Sequence, residues 1–156
     1  MASLCLVLDE WLLNDLHGNN GRQRQVDASD LLDSIRQKCD RIVVASGSPW
    51  AAKAYELMKR SEPILRALSR QLRALLVNVH KCVKLDEADL GVLDEDLRQR
   101  VPPDDQYLVL TALVARADVI VTTDTKLITM VGPVRGIRII GRTEFLEQYL
   151  GRLVSE

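Results

Sequence analysis

Four acidic residues stand where an alternating chain places reactive groups. Asp9 directly follows the apolar run at 4–8, and Asp124 closes the β-forming run at 119–123. Asp104 and Asp105 follow Pro102 and Pro103 and open a segment of helical periodicity. Short unbroken apolar runs read as strands buried on both faces of a parallel sheet. Side chains just past the carboxyl ends of such strands line the crevice where ligands bind. Taken singly, each acid is explained as readily by a helix cap, because Asp is a preferred N-cap residue. Taken together, they form a set that like-charge repulsion scatters unless a cation neutralises it. Oxygen ligands of this kind suit Mg²⁺ or Mn²⁺. The usual task of such a centre is phosphoryl-oxygen chemistry, with water activated and the charged transition state stabilised by the metal.

The elements that must gather these acids follow from the hydrophobic pattern. Strands are expected at 4–8, 42–45, 82–85, 119–123 and 137–140. A short helix is expected at 10–16, followed by a polar loop at 17–25. A second helix at 26–39 has Asp27 or Ser29 as its cap. Ser48 and Pro49 give a cap and a proline at the first helical position, starting a helix that runs to about residue 60. Pro63 opens the longest helix, whose apolar stripe is Ile64, Leu65, Leu68, Leu72, Leu75 and Leu76. A helix at 104–117 leads into the fourth strand, a helical turn follows at 126–130, and an amphipathic helix carrying Phe145, Leu146 and Tyr149 ends the chain. Strands alternating with helices mean α/β: a parallel sheet with helices on both faces, in one domain spanning 1–156.

Composition bounds the rest. The 156 residues are 47% hydrophobic and 28% charged, with a net charge of −1. That is ordinary for a soluble globule, and no apolar run is long enough to cross a bilayer, so no membrane partner is expected. Cys5, Cys39 and Cys82 sit inside apolar segments and read as buried, reduced thiols. Residues 1–8 lack a basic leader and cleavage signal, so the expected location is cytoplasmic. His17 and His80 do not complete a zinc site. Charge is uneven: 49–82 holds seven Lys/Arg against Glu56 and Glu62, whereas 84–105 holds eight acids against three bases. Lys53, Arg66, Arg70 and Arg73 form either a face for polyanions or a solvated helix surface, and the pattern leaves both open.

The stretch DDQYLVLTALVARADVIVTTDTKL resembles the C-terminal signature of PIN domains, with Asp105, Ala112, Ala117, Asp118, Thr122 and Asp124 at the matching positions. LVLDEWLL is similar to the family's opening strand and its Asp, here Asp9, and GIRIIGRTEFL resembles its last strand and helix. The resemblance implies a single PIN-like domain, a three-layer α/β/α unit around a five-stranded parallel sheet. It implies a ribonuclease dependent on Mg²⁺ or Mn²⁺, often the toxin of a toxin–antitoxin pair. RNA is then the substrate, an antitoxin protein a partner, and a homodimer a further open possibility.

Carried over by position, Asp9, Asp105 and Asp124 are the metal-binding and catalytic acids, with the Thr122 hydroxyl and Asp104 supporting them. The family's remaining acid would fall near Ala52; Glu56, one turn further along, is the acid within that helix and is taken as its substitute. A further acid of many relatives is replaced by Lys126. Lys53, Arg66, Arg70 and Arg73 are the candidate RNA contacts, of the kind that holds backbone phosphate without reading sequence. Two departures in the acidic set keep a second reading in play: a non-cleaving PIN-fold module that binds RNA or protein. A response-regulator receiver, with Asp86 as phosphoacceptor and Lys126 as its lysine, is a loose third.

Overall fold

A computed structural model describes residues 3–154; the four terminal positions of the expected 1–156 domain lie outside them. Five strands form one sheet: β1 (Cys5–Leu8), β2 (Arg41–Ala45), β3 (Cys82–Leu85), β4 (Val119–Thr122) and β5 (Arg138–Gly141). The order is β3-β2-β1-β4-β5, and every pairing is parallel. The chain therefore winds outward from β1 through β2 to β3, then crosses back to place β4 on the other side of β1. The junction of β1 and β4 is the topological switch point, where an open sheet leaves a crevice beyond its strand ends. Leu6 pairs with Val119 and Leu8 with Val121, so Asp9 and the end of β4 meet at one edge.

β1 and β4 are buried along their whole length, which accounts for their unbroken apolar runs. Their register is fixed at the opposite end by Asp118, whose Oδ2 accepts the Cys5 N–H at 2.7 Å while its own N–H donates to the Cys5 carbonyl at 2.9 Å.

One face of the sheet is covered by α1 (Trp11–His17), α2 (Arg22–Gln37), α3 (Pro49–Met58), α4 (Pro63–Leu76) and α8 (Arg142–Leu150). Leu6 and Leu8 point into this layer among Leu12, Leu31, Leu57 and Leu72. The other face carries α5 (Glu87–Leu90), α6 (Glu95–Arg100) and α7 (Gln106–Ala115), packed on Cys5, Val7 and Ile120. The result is the three-layer α/β/α arrangement around a five-stranded parallel sheet. Ser48 caps α3 as its sequence suggests, its Oγ accepting the Ala51 N–H at 3.2 Å with Pro49 in the first turn.

Three expectations are corrected. α2 begins at Arg22, after Gly21 at φ 98°, so neither Asp27 nor Ser29 caps it. Arg22 to Gln25 lack apolar periodicity but are good helix formers, and Gln25 Nε2 closes the end of α1 by donating to the Leu16 carbonyl at 2.9 Å. Asp27 is instead fully buried within the helix and pairs with Arg152 at 2.9 Å, while the Ser29 hydroxyl donates to Gln71. The helix expected at 104–117 starts with a 3₁₀ turn, Pro103–Asp105, before α7 proper. Cys5 and Cys82 are buried, and burial pushes both thiols up, to about 11 for Cys82; Cys39 is exposed, because the end of α2 turns it outward. Among the described residues, no helix is long and apolar enough to cross a membrane.

Candidate functional site

Asp9, Asp105 and Asp124 all reach the switch-point crevice, each from a different kind of element. Asp9 is the first residue beyond β1, and its backbone N–H donates to the Val121 carbonyl at 3.0 Å, extending the pairing with β4. Its Oδ1 accepts the Glu10 N–H at 2.6 Å and its Oδ2 accepts the Thr122 hydroxyl at 2.7 Å. Thr122, with no exposed surface, then accepts the Asp124 N–H at 3.0 Å. One buried hydroxyl thus ties the Asp9 carboxylate to the backbone that carries Asp124. Trp11 supports the same corner from the core, donating its indole N–H to the Val121 carbonyl at 2.9 Å.

The capping alternative separates the three acids. Asp105 occupies the N-cap position of α7 but makes no side-chain cap bond. Asp9 bonds its neighbour and Thr122 rather than the first turn of α1. Asp124 does act as a cap, its Oδ1 accepting the Lys126 N–H at 2.9 Å. The residue that opens the following turn therefore also faces the crevice.

The charges act on one another. Burial, a hydrogen bond with Asp124, and the negative charges of Asp124, Asp9 and Asp104 push the Asp105 carboxyl up to about 7. Asp124 moves the other way, lowered by the hydrogen bond from Asp105, by the Lys126 and Leu127 N–H groups and by the Lys126 charge. The two carboxyls therefore share a proton at moderate pH, Asp105 donating and Asp124 accepting. Asp9 is raised, chiefly by burial, against the help of Thr122 and the Glu10 amide. Tyr107 is raised by burial and by Glu10, Asp9 and Asp105, which places its ring among all three carboxylates.

The donor chemistry suits a hard divalent cation: carboxylate oxygens only, two of them sharing a proton where an ion could compensate both. The arrangement is not a closed cage, and among the described residues no three His, Cys, Asp or Glu side chains are drawn together tightly enough to hold an ion as they stand.

The remaining sequence candidates divide. Asp104 is exposed and contributes its charge to Asp105. Glu56 does not come to the crevice: its side chain is 69% exposed on the outer face of α3 and pairs with Lys59 at 3.5 Å. The α3 face toward the core is set by Trp50, Ala54 and Leu57, and Glu56 lies off it. Lys53, one turn earlier, pairs with Glu10 at 3.1 Å. Arg66, Arg70 and Arg73 remain on the exposed face of α4. Sequence reasoning passed over Glu10 and Tyr107, which hydrogen-bond at 3.1 Å beside the aspartates. Their signal was adjacency: Glu10 follows Asp9, and Tyr107 is two residues beyond Asp105.

A parallel five-stranded sheet of this order between two helical layers, with acids at the β1 and β4 ends, is a three-layer α/β/α fold consistent with a PIN-like domain. No protein-family model matches the sequence, and no curated protein matches it. Among solved structures, VapBC2 from Rickettsia felis, bound to a DNA fragment from its promoter, matches with a TM-score of 0.50 at 14% identity. The match covers 88% of this chain and 98% of the other. The likeness is one of fold.

Proposed function

We propose that this chain is a metal-dependent endoribonuclease that hydrolyses RNA phosphodiester bonds, with Asp9, Asp105 and Asp124 holding Mg²⁺ or Mn²⁺. The observation that carries the reading is the meeting of the three carboxylates at the switch point, where burial and then its acidic neighbours push the Asp105 carboxyl up to about 7. A bound divalent ion would supply a polarised water and offset the charge that builds on the phosphate.

The chain's residues provide the frame for that chemistry. Thr122 fixes one Asp9 oxygen and, through the Asp124 N–H, the start of the following turn, so the acids on β1 and β4 keep one relative orientation. Asp124 holds its turn through the Lys126 amide. In the net reaction, a water oxygen bonds to phosphorus, the bond to one bridging ester oxygen breaks, and that oxygen takes up a proton as the water gives one up. The fold likeness to the VapBC2 complex is the support for a protein partner of the toxin–antitoxin kind, and RNA as the target rests on the resemblance of the sequence to PIN domains.

A second reading, a PIN-fold module that binds without cleaving, is favoured by the position of Glu56 on the solvent face and by the open arrangement of the acids. Incubating the protein with a fluorescent single-stranded RNA and Mn²⁺ separates the two. Cleavage that EDTA stops and Asp9→Asn abolishes supports the nuclease. Binding of the same RNA with no cleavage in Mg²⁺ or Mn²⁺ supports the module.

A further inference from the structure

Away from the aspartates, a hollow of about 510 Å³ opens between α3, α4 and the carboxyl-terminal parts of β2 and β3. Its inner wall is apolar: Val44 of β2, Trp50, Ala54 and Met58 of α3, and Leu76 of α4. Tyr55 and Val77 stand at its rim, 59% and 64% exposed. Apolar walls with a few polar groups, at this size, are the usual form of a ligand site. β2 is the direct neighbour of β1, which leads into Asp9, and adjacent strands lie about 4.8 Å apart. The hollow and the crevice therefore belong to neighbouring strand ends.

Three cations border the hollow: Lys59, Arg73 and Lys84. Lys59 pairs with Glu56 and sets its ammonium 4.5 Å from the centre of the Tyr55 ring, so a cation and an exposed aromatic face stand together. Among the described residues, neither Arg73 nor Lys84 pairs with an acid. The same holds for Arg66 and Arg70, which continue from Arg73 along one exposed face of α4 at three- and four-residue spacing. Elsewhere on the surface Arg36, Arg60, Arg100 and Arg135 each have an acidic partner. The unanswered positive charge is thus concentrated at the hollow and on the helix face that leads to it.

An acyl chain with one acidic head would fill the hollow and engage its rim, but it would leave Arg66 and Arg70 without a role. A chain of phosphates carrying flat, partly apolar rings uses both features. We propose that the hollow receives an unstacked base of single-stranded RNA against Tyr55, with the flanking phosphates held by Lys84, Arg73 and the α4 arginines. Stacking on an aromatic ring tolerates any base, and phosphate contacts carry no sequence information, so the hollow selects unpaired over paired RNA. The inference rests on RNA as the target and needs neither metal nor cleavage.

Fluorescence anisotropy of the full chain in EDTA measures binding without hydrolysis. Two probes of equal charge are compared: a labelled single-stranded oligoribonucleotide and the same backbone lacking its bases. The parent should bind the base-bearing probe about five- to a hundredfold more tightly, the range for stacking one base. Tyr55→Ala should lose that preference while keeping the parent melting temperature, since the ring is exposed, and Tyr55→Phe should retain it. Arg73→Met should weaken both probes alike. Equal affinity of the parent for the two probes, or a Tyr55→Ala affinity within twofold of the parent, overturns the inference and leaves RNA as the target. A parent dimer that Tyr55→Ala splits on gel filtration, with RNA affinity unchanged, gives the hollow to a second copy and also overturns it. No binding of either probe by the parent removes RNA as the target and the inference with it. Base-dependent binding without cleavage in Mn²⁺ removes the nuclease reading and supports the inference.

Discussion

Asp105→Asn tests the electrostatics of the crevice without any substrate. In the folded protein the carboxyl is pushed from 3.8 up to about 7 by burial and by its acidic neighbours. A group whose folded pKa is raised contributes its stability fully below the unfolded value and loses it as pH climbs through the folded one. The parent should therefore lose stability between about pH 4 and pH 7 and carry a constant deficit above pH 8.

At about 1.4 kcal/mol per pKa unit, the full shift corresponds to about 4 kcal/mol. Solvent reaching the crevice screens part of that, and about 1–2 kcal/mol is the expected remainder. For a chain of this size, each kcal/mol moves the melting temperature by about 2–4 °C, so the expected gap is about 2–8 °C. Asparagine keeps the shape and a donor toward Asp124 but cannot ionise. Thermal melts in EDTA at pH 4, 5.5, 7 and 8.5 should show the variant and parent together at the acid end and the variant higher at the alkaline end. A gap that is constant across pH, or a variant that melts lower at pH 8.5, would refute the claim that Asp105 bears uncompensated repulsion.

Three further outcomes are expected. Asp124→Asn retains the oxygen that caps the Lys126 amide, so it should cost only a few tenths of a kcal/mol. It should also remove the Mn²⁺-induced rise in melting temperature, which in the parent follows RT ln(1 + [M]/Kd); an equal rise in the variant would make Asp124 a cap alone. Arg142→Met leaves the fully buried Asp15 without the guanidinium that pairs with it at 2.7 Å, and urea unfolding should show a loss of about 3–5 kcal/mol. Reversing charge at Arg66 and Arg70 should flatten the salt dependence of RNA binding by roughly 1.4 in slope, at about 0.7 per phosphate contact, whereas an unchanged slope marks a solvated helix face.

What the sequence revealed depended on whether position along the chain decided position in space. The five strands were legible because each centres on a short apolar run, although only β1 and β4 are buried throughout, and the meeting of Asp9 with Asp124 followed from the crossover that parallel strands require. The start of α2 was not legible, because Arg22 to Gln25 take their helical form from propensity and from one bond back to α1, with no apolar stripe to show it. Glu56 was misplaced for a related reason. Residues one turn apart share a helix face, but that face drifts along the axis, and four residues carry Glu56 away from the crevice into solvent. Asp105 was found as a helix-opening acid, although the 3₁₀ turn that frees its carboxyl from capping left no mark in the residue pattern. The network of Lys53, Glu10 and Tyr107 joins three distant segments, and nothing local announces such a contact.

The bonds that reach from α8 and the residues just after it to the first third of the chain carry a consequence for biosynthesis. Arg142 grips Asp15 across 127 positions, the Tyr149 hydroxyl donates to the same Asp40 that holds the Leu4 amide, and Arg152 pairs with Asp27 and Asp30. β1, at the centre of the sheet, also waits for a neighbour synthesised more than a hundred residues later. Domains emerge from the ribosome N-terminus first, and distant pairings close last. Asp9 and Glu10 are thus made early and stay without their β4 neighbour until more than a hundred further residues have followed. A chain interrupted before β4 carries Asp9 without the strand and the Thr122 hydroxyl that set it beside Asp124, and one interrupted before α8 leaves the buried Asp15 without the guanidinium of Arg142.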